Sequence, residues 1–311
     1  DPTWVAVSLL LCVYAVIMAE KFNRAVLSLL GAGLMILCGV ITQKQAVAGI
    51  DFNTIGLLTG MMIIVAITRK SGIFQYMAIW SAKKVKADPW GILVMLVLVT
   101  AVFSALLDNV TTVLLIVPVT LLITDELDLN PYPFLFSEIF ASDIGGTATL
   151  IGDPPNIMIG SAVGLSFNDF VINLGPAVVV ILAVTLIPIY LIWGRTLDAP
   201  QELRDRVMAY DETEAITDGV LLVKSLGVLA LVILGFVLAH DINQQPATIA
   251  IFGAALLMLL DNLPRAFSDQ AEVCHKTYGE VEWTTIFFFS RIVLTFIIFV
   301  SAKKTKHSFN A

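Results

Sequence analysis

Residues 145–156 read GGTATLIGDPPN and lie between two apolar runs. Gly, Pro, Asp and Asn are the residues that a membrane-spanning helix avoids. Pro lacks the N–H and constrains the residue before it, Gly has no side chain to hold one conformation, and a carboxylate in hydrocarbon costs on the order of several kcal/mol. A surface turn would explain the composition, since GDPP is good turn sequence. The apolar run that follows, Ile157 to Leu165, is short, and a surface turn would strand it. The stretch is therefore read as a helix break at membrane depth, a state tolerated only where protein buries the backbone or a watery cavity bathes it.

Composition supports the membrane setting. The chain has 311 residues, 58% of them hydrophobic and 14% charged, against about 25% charged in a soluble domain. Mean hydropathy is +0.90. Apolar runs of about 17–20 residues recur, a length that spans a bilayer as helix. These features predict an all-α polytopic membrane protein. A soluble fold would need helices buried on every side, and a β-barrel would show alternation in place of continuous runs. Spans are expected at 4–19, 25–41, 53–68, 176–193, 220–239, 247–260 and 283–301, with regions 90–124 and 134–165 each interrupted. No basic segment precedes the run from Trp4 to Ala19, so it is read as a span and not a signal peptide. Ile73 to Trp80, between Arg69, Lys70 and Lys83, Lys84, Lys86, reads as a short helix in the interface. Lys21 and Arg24 together with that basic group place the loops after spans one and three in the cytoplasm.

Other function classes find little support. The net charge of −7 sits mostly in loops, and no basic patch suggests nucleic acid. Cys12, Cys38 and Cys274 are far apart, and His240, His275 and His307 are scattered, so neither a disulfide framework nor a metal spacing is present. No nucleophile–base pair argues for an enzyme, and no P-loop for ATP. No cofactor is expected beyond a coupling Na+ or H+.

The second half resembles the first. FNRAVLSLLGAGLMIL (22–37) aligns with QQPATIAIFGAALLML (244–259) on Gly31 and Gly253, and IDFNTI (50–55) with VEWTTI (281–286). Asp51 and Glu282 take matching places as helix N-terminal charges. The organisation reads as a first transmembrane repeat with both breaks (1–194), a charged, solvated cytoplasmic linker (195–219), a partial second repeat (220–289) and an atypical tail (290–311). Inverted repeats are a transporter signature. The loop charges fit an inverted second copy if region 90–124 enters and leaves on the cytoplasmic side, as a re-entrant hairpin or a helix pair.

Two breaks in one half suggest a cavity between them. The first is LDNVTT (107–112). Asp108 needs a cation, a proton or a donor; Asn109, Thr111 and Thr112 offer neutral hydrogen bonds; a helix starting after Asn109 would present free N–H groups. The plain alternative is an N-cap at Asp108. In the second break, Gly145 and Gly146 allow close backbone approach, and Thr147 and Thr149 supply hydroxyls. From Gly152 to Asn156 the paired prolines free carbonyls, which with Asp153 and the Asn156 amide make a cage for a hard cation or substrate. Glu138 and Asp143, just before this break, are candidates for a proton path; a cap is the alternative for Asp143.

LDNVTTVLLIVPVT (107–120) and GGTATLIGDPPNIMIG (145–160) resemble the ion transporter superfamily. The similarity is to the branch of arsenite permeases, NhaD-type antiporters and citrate-transporter-like permeases that includes the pink-eyed-dilution protein, and it runs from about residue 4 to 289. The resemblance implies inverted repeats, each with a re-entrant hairpin and a broken helix, and a substrate site near the midplane. It also implies a homodimer in the plasma membrane of a prokaryote. It carries the hairpin tip to Asp108, Asn109, Thr111 and Thr112, and the unwound helix to Gly145 through Asn156. The activities implied are uptake or extrusion of anions or oxyanions such as carboxylates or arsenite by alternating access, driven by an ion gradient or a separate ATPase, with sodium/proton exchange as the alternative. One departure stands out. No second DN-T motif occurs at the expected place, Asp261-Asn262 reads as a loop, and Arg291 aligns with Gly60. The expectation is a truncation or frameshift near residue 290, which raises a non-transporting membrane remnant as a further reading.

Overall fold

Backbone in hydrocarbon must satisfy its own hydrogen bonds, and each apolar run accordingly folds as helix. The computed structural model describes residues 2–239 and 241–288, and no strand occurs among them. The tail at 290–311 and most of the span expected at 283–301 lie outside the described residues. Among the described residues five helices are long and apolar enough to cross a membrane: α4 (Phe52–Arg69), α6 (Pro89–Leu106), α7 (Asn109–Glu126), α10 (Phe167–Ile189, continued by a π turn to Gly194) and α12 (Gly219–Leu238). Shorter apolar helices are α1 (Pro2–Met18), α2 (Arg24–Leu37) and α13 (Pro246–Asn262). The all-α polytopic class read from the sequence is the one observed.

The chain forms two compact units, one containing the residues up to Thr59 with 282–288, the other Gly60–Val281. In the first, α1 packs on α2 at Gly31, where a Cβ would lie 2.9 Å from Val13 Cγ2. Asn23 caps α2 by accepting from the Ala25 N–H at 2.9 Å. A short helix absent from the sequence reading, α3 (Gln43–Ala48), is started by a Thr42–Gln45 capping box. Asp51 accepts from the Asn53 and Thr54 N–H groups at the start of α4, the role expected of it.

In the second unit, α12 and α13 meet at Gly253, where a Cβ would lie 2.2 Å from Val232 Cγ2. Gly31 and Gly253 thus do the same work, each seating a Val of the preceding helix. Gly60 of α4 is a packing glycine too: a Cβ there would lie 2.6 Å from the Ala250 carbonyl carbon. The main core of this unit lies among α5 (Ile73–Lys84), α6, α7 and α8 (Tyr132–Gly146), around Ala78, Leu93, Ile116, Ile123, Phe134 and Ala141. Helix α5 therefore packs against the arms of α6 and α7 with Phe74, Ala78 and Ala82 buried. Helix α10 is mostly exposed and presents Ile172, Val179, Ile181, Val184 and Ile187 outward, a surface suited to lipid.

Three sequence expectations are corrected here. The span expected from 176 begins at Phe167, because the Ser166–Asp169 capping box starts the helix and Pro176 is carried inside it. Asp261 and Asn262 close α13 and are buried, with Arg265 bonding Asp261 at 2.9 Å, so they are not a loop. A polar helix, α14 (Phe267–Gly279), follows them.

The third correction concerns 195–218, which folds onto the helices instead of standing in solvent. It contains α11 (Gln201–Met208) and a 3-10 turn (Glu212–Ala215). Ala199 and Val207 join the main core, and Val207 is 0% exposed. Lys83 of α5 pairs with Glu212 and donates to the Tyr210 carbonyl at 2.8 Å. The Thr217 N–H donates to the Ser71 carbonyl at 3.1 Å. Gly72, at φ +82°, lies so close to the Ala215 carbonyl that no Cβ would fit. Lys83 holds the Glu212 carboxyl below its ordinary range, and hydrogen bonds from Thr213 do the same for Asp211. Burial and a bond to Glu126 push the Tyr210 phenol up to about 12.

This segment also defines the topology of α6 and α7. Arg204 lies 3.5 Å from Asp88, the N-cap of α6, and Tyr210 reaches Glu126, the last residue of α7. The outer ends of the two helices are therefore held together, and only Leu107 and Asp108 separate their inner ends. Helices α6 and α7 form a closed hairpin with its tip at the first break.

Candidate functional site

At the hairpin tip Leu107 is extended and buried, and Asp108 begins α7. The Asp108 carboxylate accepts from the Thr111 N–H at 2.9 Å and from the Thr111 hydroxyl at 2.5 Å. The N-cap reading of Asp108 is realised, and Thr111 is committed to it. The cap leaves the first amides of α7, at Asn109 and Val110, outside the helix's own ladder. Thr112 is fully buried and its hydroxyl has no partner.

Asn109 joins the two breaks. Its Oδ1 accepts from Ser104 of α6 at 2.7 Å, and its Nδ2 donates to Asp143 of α8 at 3.2 Å. The Ser104 hydroxyl also faces the Ser142 carbonyl at 2.7 Å. The sequence reading missed Ser104; its signal was a polar residue in the apolar run just before the break.

The glycines of the second break are close-approach points. A Cβ on Gly145 would lie 2.3 Å from the Ala101 carbonyl oxygen, one on Gly146 2.2 Å from Asn109 Oδ1, and one on Gly152 2.6 Å from the Ser104 carbonyl oxygen. Only backbone without side chains brings α6, the tip and the unwound segment this near.

Between α8 and α9 (Pro154–Val163) the chain is irregular. Thr149 donates to the Ala105 carbonyl at 2.5 Å and accepts from the Gly152 N–H at 3.1 Å. Asn156 turns its Nδ2 back onto three carbonyls, those of Gly146 (3.3 Å), Thr147 (3.3 Å) and Thr149 (2.9 Å). The carbonyls that converge here are those of Gly146, Thr147 and Thr149, upstream of the ones the paired prolines would free, and the Asn156 amide is what they meet. Thr147 is exposed and bonds back to the Ile144 carbonyl at 2.6 Å. Pro154 and Pro155 remove the first two N–H groups of α9, so this helix start offers an anion less than α7 does.

Asp153 begins α9 without capping it and lies within electrostatic reach of Asp143 and Asp108. The site therefore gathers three carboxylates, the Asn109 amide and the bare start of α7. Such a cluster attracts a cation or a proton, and a neutralised cluster leaves the α7 amides free to attract an anion. Among the described residues no His, Cys, Asp or Glu group has the arrangement of a metal site.

The site's sequence has known counterparts. The profile of the citrate transporter family matches residues 14–302. The chain is 43% identical over 294 residues to an uncharacterized transporter of Mycobacterium tuberculosis, covering 93% of this chain and 66% of that one. It is 41% identical over 296 residues to a 46 kDa membrane protein of Mycobacterium leprae, with the same coverage. It is 30% identical over 364 residues to the human P protein, covering 93% of this chain and 42% of that one. The chain thus spans less than two thirds of the length of these mycobacterial relatives. An integral, multi-pass membrane protein with a cluster built from two helix breaks, the chain belongs to the citrate transporter family.

Proposed function

We propose that the protein is a secondary transporter that moves a small anion or oxyanion, of the class of carboxylates or arsenite, coupled to a Na+ or H+ gradient by alternating access. The observation that carries this reading is the Asn109 bridge, which joins both helix breaks at one cluster of three carboxylates, with Asp143 at its exposed edge and Asp108 half-buried. A coupling cation or proton neutralises Asp108, Asp143 and Asp153. The substrate anion then meets the amides of Asn109 and Val110. The hairpin and the broken helix move together against a scaffold, and the matching glycine contacts of α1–α2 and α12–α13 support an inverted repeat as its basis. A homodimer in the plasma membrane of a prokaryote is the proposed setting.

The acidic character of the cluster favours sodium/proton exchange as the second reading. The test is flux in proteoliposomes under imposed pH and Na+ gradients. Gradient-driven accumulation of labelled citrate or arsenite, lost in Asp108→Asn, is the expected result. Sodium-dependent proton movement with no anion present would give the exchanger reading. Failure of every flux, in wild type as in the variant, would refute both.

A further inference from the structure

Glu138 stands apart from the cluster and is used by no step above. It lies in the middle of α8, is 0% exposed, and accepts one hydrogen bond, from the Thr120 hydroxyl of α7 at 2.5 Å. Its Oε2 is buried without a partner. The elements packed on α8 are α6, α7 and α10. Helix α6 carries no ionisable residue and is capped by Asp88; α7 ends in Asp125 and Glu126 and is capped by Asp108; α10 carries Asp169 near its start and Tyr190 in its π continuation, whose Trp193 packs on Tyr132 and Phe136; α8 itself adds Tyr132 and Asp143. None of these is a cation, and none pairs with Glu138.

A carboxylate with one neutral donor and no counter-charge is not sustained in so dry a place, whereas the neutral acid is. The contact also sits at a weak turn. Pro118 lies two residues before Thr120 and removes one rung of the α7 ladder. Glu138 and Gly145 share a face of α8, seven residues apart, so the carboxyl lies two turns from the break.

We propose that Glu138 is an exchangeable proton site that locks the hairpin arm α7 to the broken helix α8. With α7 and α8 packed it holds its proton as the neutral acid. When the Thr120 contact opens and water enters, the O–H bond breaks, the proton passes to water, and the carboxylate that remains holds the two helices apart until it is protonated again. The proton-binding part stands without any transport reading; only its use for coupling rests on the function proposed above.

The test is pH-difference infrared spectroscopy of the full chain in lipid vesicles, for wild type, Glu138→Gln and Thr120→Val. The Glu138→Gln side chain is a neutral mimic of the packed acid, and Thr120→Val keeps the shape of the threonine while removing its hydroxyl. The expected result is a carboxylic-acid C=O band that disappears as pH rises, is absent from Glu138→Gln, and moves in frequency in Thr120→Val. A pH-difference spectrum with no band sensitive to Glu138→Gln would overturn the proposal, because a permanently neutral or permanently ionised Glu138 gives none. The readout contains no flux, so its failure and a failure of the transport assays are separate events.

Discussion

Gly145→Ala is the sharpest perturbation of the packing that builds the site. The added Cβ would lie 2.3, 2.5 and 2.7 Å from the O, Cα and C of Ala101, all backbone atoms of α6. Ordinary contact needs about 3.4 Å or more, so α6 and α8 must part by about 1 Å. Overpacking of this kind costs about 1–3 kcal/mol. Parting the helices also strains the Ser104–Asn109 bond at 2.7 Å, worth about 1 kcal/mol. Against this, Ala in place of Gly inside a helix returns up to about 1 kcal/mol. The balance is a loss of about 1–3 kcal/mol. The assay is denaturant or thermal unfolding in detergent, with Gly175→Ala as control. Gly175 lies inside α10 with open space around it, so the control should be neutral or up to about 1 kcal/mol more stable. Ala101→Gly should not rescue Gly145→Ala, since the clash is with backbone. A Gly145→Ala protein as stable as wild type would refute the close approach of α6 and α8.

Asp108→Asn should keep the helix cap, since Asn caps about as well as Asp, and stability should change by less than about 0.5 kcal/mol while gradient-driven flux is lost; unfolding and flux are measured on one preparation. Asn156→Ala leaves the Gly146, Thr147 and Thr149 carbonyls without their shared donor and should cost about 1–3 kcal/mol in unfolding experiments. Lys83→Glu should speed protease cleavage within 195–218, and adding Glu212→Lys should restore protection. That ion pair holds Glu212 below its ordinary value, so its contribution is present above the carboxylate range and falls away as pH drops through the lowered value. Tyr210 has the opposite sign. Its neutral form is favoured in the fold, so its contribution is full below about pH 10 and disappears as pH climbs towards about 12. Tyrosinate absorbance of wild type minus Tyr210→Phe should show this late titration, and a difference centred near the ordinary value of 10.0 would contradict the burial of the phenol.

The two breaks were legible because Gly, Pro, Asp and Asn have few other uses between apolar runs. What the breaks do was less so. Asp108 satisfies its cap and remains in the charged cluster, and composition alone does not separate these roles. Asn156 looked like an open ligand, yet its amide nitrogen is spent on three carbonyls whose convergence exists only in the folded chain. The start of α10 was misplaced because Pro176, a stop signal in water, is tolerated within a long apolar helix. The segment 195–218 misled for a different reason. Charged residues that clasp a surface have the same composition as charged residues in solvent, and Ala199 and Val207, its contribution to the core, are too few to make a periodic pattern.

The docking of that segment fixes an order of events during synthesis. The hairpin of α6 and α7 is complete once Glu126 has been made, but the groups that tie its outer ends, Arg204 and Tyr210, follow only after α8, α9 and α10. At roughly 5–20 residues per second the nascent chain waits on the order of 4–17 s with that end unfastened. During this interval the acidic tip has α8 as its packing partner before it has a fastened base. A ribosome-stalled chain ending just before Arg204 should therefore display the hairpin's outer ends to protease, and one stalled well beyond Thr217 should not.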